Sequence, residues 1–296
     1  MKKTYPYPER GGPVQWVSTE WLYNHLNDKD LSILDVQSNI HEYIKGHIPG
    51  AMYASEGLFR IHGIRIPTHW IPPEAAQILF RTLGLRADNP VVVYTGSPVL
   101  TQCTTFIGDG LEQTFVAYSL ARFGFNRVYV LDGGLDKWRA ENRALSQEFP
   151  SPQPSEFRAS VRSEYFVTYD QFKAMKDKPD VITLDARPPP VYEGQGPWIK
   201  PGHIPGAVSL PWKTLMSPEN SRLLKPDDEI EAILVEKGVT KEKTVICSCG
   251  TSREATNEFL LLKFYLKFPN VKIYEGSFTE WTSYPDNPVI TGKNPR

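Results

Sequence analysis

Apolar and polar positions along the 296-residue chain fall into two alternating patterns. Short, nearly continuous apolar runs rich in β-branched residues read as strands buried on both faces. Longer runs with apolar residues at helical spacing read as helices. In the second half VITLDA (Val181 to Ala186), TVICS (Thr244 to Ser248) and VKIYEG (Val271 to Gly276) are the predicted strands. DDEIEAILVEKG (Asp227 to Gly238) and REATNEFLLLKFYLKF (Arg253 to Phe268) are the predicted helices, the latter with Phe259, Leu262 and Tyr265 on one stripe. Gly124 and Gly238 stand where helices should stop. Strands alternating with helices predict an α/β fold in which a parallel sheet is flanked by helices on both faces. A ligand site in such a fold lies beyond the carboxyl ends of the strands.

The pattern occurs twice. ILDVQSNIHEYIKGHIPGAMY (Ile33 to Tyr53) matches TLDARPPPVYEGQGPWIKPGHIPGAVSL (Thr183 to Leu210), each an apolar strand, an Asp, a stretch holding a Tyr, then GHIPGA. NPVVVYTG then pairs with KTVICSCG, and RVYVLDGGLDKW with KIYEGSFTEW. Three marks in the same order indicate a duplicated domain. LSQEFPSPQPSEFRAS, rich in Pro and Ser without periodicity, reads as a semi-extended linker. The expected division is a first domain over 13–145, a linker over 146–160 and a second domain over 161–290, each domain of ordinary size.

Composition narrows the function. Hydrophobic residues make up 40% and charged residues 23%, as in an ordinary globular protein. A net charge of -1 gives no electrostatic footprint for nucleic acid or an anionic membrane. No apolar run approaches the roughly 20 residues of a membrane span. MKKTYPYPERGG lacks the apolar region of a signal peptide, so the cytoplasm is the expected compartment, with the periplasm as the alternative if a leader has been removed. Three cysteines do not make a disulfide framework. The C-x-C pair has no accompanying His or Cys cluster, so no metal is expected, and no cofactor.

The chemical signal lies in VICSCGTSREATNEFLLL, where a strand hands over to a helix at Cys249, Gly250, Thr251, Ser252, Arg253 and Glu254, with Ala255 opening the helix. A tight loop at a helix N-terminus directs backbone N–H groups inward and stabilises an anion, here a nucleophilic thiolate. Gly250 would let the backbone approach closely, Thr251 and Ser252 would add hydroxyl donors, and Arg253 would add positive charge. Glu254 would raise the thiol pKa if it faces the sulfur, or favour the helix dipole if it points outward. Arg187, just past VITLDA, suits two-point binding of a sulfonate or carboxylate; the structural alternative is that it anchors the adjacent loop.

After its first dozen residues the chain resembles the tandem rhodanese sulfurtransferases. The strand-end Asp followed by G-H-I-x-G-A in both halves, and the strand, Cys249, five loop residues and helix, carry the resemblance. It implies two rhodanese-like domains and a persulfide on Cys249, formed and discharged by double displacement. It implies a small anionic sulfur donor and a cyanide, thiol or protein sulfur acceptor, with Arg187 and the loop Gly250 to Glu254 binding substrate. A monomer is expected. Thr95 stands at the cysteine position of the first half, so that domain is expected to shape the cleft without reacting. The C-G-[ST] start is similar to the mercaptopyruvate branch and to some bacterial thiosulfate sulfurtransferases. Val191 replaces the second arginine usual in the former, and Thr251 a lysine frequent in the latter, which leaves thiosulfate and 3-mercaptopyruvate both open.

Other readings compete. Cys247 to Arg253 spells C-x5-R, the pattern of cysteine-dependent phosphatases, in which Cys247 would attack phosphorus and Arg253 hold the phosphate. A non-catalytic sulfur-carrier or docking module is a further alternative. Cys247 also reads as a small buried strand residue. His47 and His203 recur in both halves, including the one without the loop cysteine, so they read as turn-holding groups. Trp138 and Trp281 read as core. Cys103, His62 and His69 have no assignable role.

Overall fold

A computed structural model describes residues 12–97 and 108–296; Cys103 lies outside them. The first half builds a five-stranded parallel sheet from Val14–Val17, Ser32–Asp35, Ala51–Tyr53, Val91–Tyr94 and Val128–Leu131. The second half builds another from Phe166–Val167, Val181–Asp185, Ala207–Ser209, Thr244–Ser248 and Val271–Tyr274. Numbered within each half, both sheets have the spatial order first, fifth, fourth, second, third. The expected α/β duplication is therefore present in three dimensions.

Local chemistry repeats with the topology. The first helix of the first half, Thr19–His25, starts at Ser18, whose hydroxyl accepts from the Trp21 N–H. Its counterpart Tyr169–Met175 starts at Thr168 with a full capping box to Gln171. The central strands are buried on both faces, as their unbroken apolar runs require. Gly124 and Gly238 both adopt positive φ just past helix ends, the conformation a side chain resists.

The helix expected over Arg253 to Phe268 is regular only over Arg253–Leu260 and continues as a π turn over Leu261–Tyr265. There the Leu266 N–H reaches the Leu261 carbonyl, five residues back, at 2.8 Å. Residues 147–162 have no regular secondary structure.

The halves meet through their equivalent helices. Leu111–Arg122 packs against Arg253–Leu260, and one apolar cluster runs through both halves from Val93 and Phe115 to Cys247 and Phe259. Tyr118 stands edge-on to Phe259 at 5.3 Å. Both Tyr118 and Arg122 bond Glu275 at 2.7 Å. This contact places the start of the Arg253–Leu260 helix against the first half.

Candidate active site

The strand Thr244–Ser248 ends opposite Asp185, and Cys249 is the first residue of the turn beyond it. In the first half Val91–Tyr94 ends opposite Asp35, and Thr95 follows. The Cys249 carbonyl accepts from the Phe278 N–H, and the Thr95 carbonyl from the Leu135 N–H, both at 2.9 Å. Thr95 and Cys249 are thus the same position of the repeat. Cys247 lies inside the strand with its side chain in the core. A phosphatase loop starting at Cys247 is incompatible with that placement.

The loop is held from the last helix, Ser277–Ser283. Ser277 Oγ accepts from the Cys249 N–H at 3.2 Å, and Thr279 binds the Gly250 carbonyl through its N–H at 3.1 Å and its hydroxyl at 2.7 Å. Ser252 does not offer its hydroxyl to an anion. It is buried and bonds the carbonyls of Tyr274 and Glu275, with Ser277 Oγ 3.1 Å away. Ser252 and Ser277 both hold positive φ, a conformation uncommon for a residue with a side chain. The glycine at 250 answers a different need from the one expected. A Cβ there would lie 2.7 Å from the Trp198 ring, so the indole, rather than an approaching anion, excludes a side chain. Thr251 is partly exposed.

Cys249 is fully buried. Burial pushes its thiol well above the usual range, and the charge and hydrogen bond of Glu254 push it further. The backbone N–H groups of Ala255 and Thr251 bond the sulfur and pull the other way. The anion cradle inferred from sequence therefore exists, but burial and Glu254 outweigh it, and Cys249 rests as a thiol. Glu254 faces the sulfur, as one of the two sequence readings required. Four residues on, Glu258 is fully buried, and neither carboxyl oxygen has a partner among the described residues. Burial raises its pKa well above the carboxylate range, with Asp185 and Glu254 adding to the effect.

The two arginines are engaged elsewhere. Arg187 is buried; its Nε donates to Asp185 at 2.8 Å, and its Nη2 donates to Asp185 at 2.5 Å and to the Gly202 carbonyl at 2.8 Å. Gln37 holds the same place in the first half, bonding Asp35 through its backbone at 3.0 Å and its side chain at 2.9 Å. A bond that recurs beside Thr95 belongs to the repeat's architecture, so the bracing role fits Arg187 better than the donor-binding one. Its guanidinium lies 4.1 Å from the Phe278 ring centre and 5.0 Å from that of Trp198. Arg253 forms a bridge to the first half: Nε to both Glu56 oxygens at 2.9 Å, Nη1 to Asp109 at 2.6 Å, Nη2 to Glu112 at 3.3 Å. These three carboxylates saturate the charge that a substrate clamp would need.

The histidines behave as their repetition implied. His47 Nδ1 meets the Tyr43 carbonyl at 2.8 Å, and His203 Nδ1 the Tyr192 carbonyl at 3.0 Å. Trp138 and Trp281 are buried, with their indole N–H groups on the Ala144 and Pro288 carbonyls. Sequence reasoning missed Trp198, Ser277, Glu56, Glu112 and Glu258, all of which reach the loop only through tertiary packing. Only Glu258 left a trace, as a charge in the otherwise apolar stretch EFLLL.

A cysteine at a strand-to-helix turn, carried by one copy of a duplicated parallel α/β domain, defines a cysteine-dependent group-transfer protein of two domains. The chain belongs to the rhodanese family: the profile of the rhodanese-like domain matches residues 18–141 and again residues 168–284. It is 37% identical over 287 residues to a putative thiosulfate sulfurtransferase of Synechococcus elongatus, covering 94% of this chain and 86% of the relative. It is 30% identical over 288 residues to the 3-mercaptopyruvate sulfurtransferase of Escherichia coli, covering 93% and 97% of the two chains. The crystal structure of an Escherichia coli 3-mercaptopyruvate sulfotransferase with the rhodanese fold superposes with a TM-score of 0.77 at 28% identity, covering 89% of this chain and 98% of the other. The protein is a sulfurtransferase, a transferase of sulfur-containing groups.

Proposed function

We propose that the chain moves a sulfane sulfur from thiosulfate to a thiophilic acceptor through a persulfide on Cys249. The observation that carries this is the place of Cys249 at the head of the strand-to-helix turn, with two backbone N–H groups on its sulfur. The thiol first loses its proton. The thiolate then attacks the outer sulfur of thiosulfate, the sulfur–sulfur bond of the donor breaks, and sulfite leaves with the bonding pair. A persulfide anion remains on Cys249, and the same N–H groups that bond the thiol sulfur are near enough to stabilise it. Cyanide, a thiol or a protein sulfur acceptor then attacks the outer sulfur and releases the thiolate. The first half contributes shape and the Arg253 bridge but no covalent chemistry, since Thr95 occupies its loop position.

A second donor, 3-mercaptopyruvate, is favoured by the Escherichia coli relative. The test is a donor panel read by intact mass. Thiosulfate should add one sulfur atom to the wild type and to Cys247→Ser, and none to Cys249→Ser. Loading by 3-mercaptopyruvate alone would transfer the reading to the second donor. Loss of transfer in Cys247→Ser with retention in Cys249→Ser would overturn the assignment of the nucleophile.

A further inference from the structure

Arg60 stands in the first half, where the turn Glu56–Phe59 leads into a short antiparallel pair, Arg60–Ile61 with His69–Trp70. Its guanidinium lies 4.3 Å from the Phe115 ring centre and 5.2 Å from that of Trp70. Nη1 donates to Thr68 Oγ1 at 3.2 Å. Nη2 is enclosed and has no hydrogen-bond partner among the described residues. An enclosed guanidinium nitrogen without an acceptor is costly, so its retention calls for a reason.

Its surroundings supply one. The charges that act on Arg60 are those of Glu56, Cys249, Arg253 and Glu254, which places it on the side of the first half that faces the catalytic loop. Glu56 does not consume it, because both Glu56 oxygens bond Arg253. The other two guanidinium groups near the loop are committed: Arg253 to three carboxylates, Arg187 to Asp185. The Arg187 Nη1 also lacks a partner among the described residues, but Asp185 neutralises that side chain and Trp198 and Phe278 flank it. Arg60 alone among the three makes no ion pair with a described residue while keeping a free donor.

We infer that Arg60 binds the anionic group of the sulfur donor, a sulfonate or carboxylate oxygen, while Cys249 takes the sulfur. The inference rests on the persulfide reading of Cys249. A thiolate approaching a dianion needs a fixed positive charge to lower the barrier, and the aromatic platform under the guanidinium fixes its direction. The anion site is then shared between the halves: the first supplies the cation, the second the nucleophile.

The experiment separates the two half-reactions. Persulfide loading from thiosulfate is followed by single-turnover intact mass for the wild type, Arg60→Met and Arg60→Lys. Discharge of the loaded enzyme is followed with dithiothreitol, a neutral thiol. Arg60→Met should lower the second-order loading constant by about tenfold to a hundredfold. Arg60→Lys, which keeps the charge and stem but loses the planar fork, should fall between. Discharge should change by no more than about twofold, because no donor anion is held in that step. Added salt should slow wild-type loading more than that of Arg60→Met. Wild-type loading constants in both variants would overturn the proposal, as would loading and discharge slowed together. If the methionine variant does not fold, the lysine variant decides by the same criteria. Sulfur appearing on a residue other than Cys249 in the wild type would instead overturn the reading beneath the proposal, and that outcome is visible before any variant is made.

Discussion

Replacing Arg253 with methionine should destabilise the protein in a manner that depends on pH. The guanidinium is 22% exposed and touches Glu56, Asp109 and Glu112, which are 30%, 37% and 0% exposed. The Asp109 pair, open to water, is worth about 0.5 kcal/mol. Glu56 and Glu112 lie deeper, and each charged hydrogen bond lost there costs about 1.5 kcal/mol, the lower end of the usual range because solvent still reaches the arginine. The total is about 3 kcal/mol at neutral pH. Glu56 already has a raised pKa, because burial outweighs the opposing effect of Arg253. Without the arginine it rises further. A carboxyl whose folded pKa exceeds its unfolded value destabilises increasingly as pH climbs above the unfolded value, about 4.3. The deficit of Arg253→Met should therefore be largest near neutrality and shrink toward pH 4. Urea unfolding at pH 7.5 and pH 4.5, followed by tryptophan fluorescence, measures both ends. A loss of the same size at both pH values, or none at pH 7.5, would refute the claim that Arg253 serves chiefly as the cation of an interdomain carboxylate cluster.

Gly250→Ala should cut persulfide loading sharply, because its Cβ would meet the Trp198 ring at 2.7 Å; Trp198→Ala in the same chain should restore part of the rate, and the absence of any rescue would reject the steric account. Glu254→Gln should lower the Cys249 pKa by removing one of the causes that raise it, so the rising limb of loading against pH should move to lower pH; movement to higher pH would show that the carboxylate assists ionisation instead. Glu258 has a folded pKa well above its unfolded one, so its burial costs stability progressively as pH rises past about 4.3. Glu258→Met should raise the melting temperature at pH 8 and change it little at pH 4, and equal melting temperatures for variant and wild type at pH 8 would count against this.

Hydrophobic periodicity and self-similarity were enough to fix the architecture. TVICS is a strand over the expected residues, and VITLDA and VKIYEG shorten by only one or two residues at their ends. Strand identity follows from local apolar runs, and the position of Cys249 follows from strand length, so both were legible before any packing was known. The GHIPGA histidines were legible because the repeat supplied an internal control. Applied to Arg187, the same control points to bracing, since Gln37 bonds Asp35 in the equivalent place; comparing LDV-Gln37 with LDA-Arg187 was possible from the sequence itself. What sequence left undecided depends on residues brought together across the fold. Arg253 is 197 positions from Glu56 and 144 from Asp109, and nothing in the GTSRE stretch indicates that its charge is used there. The glycine at 250 was expected to admit an anion, and only packing shows Trp198 pressed against it. The thiol pKa was expected to fall because local sequence reveals the N–H groups of the turn; it rises because desolvation by the neighbouring half is a property of the folded interior and has no signature in a linear chain.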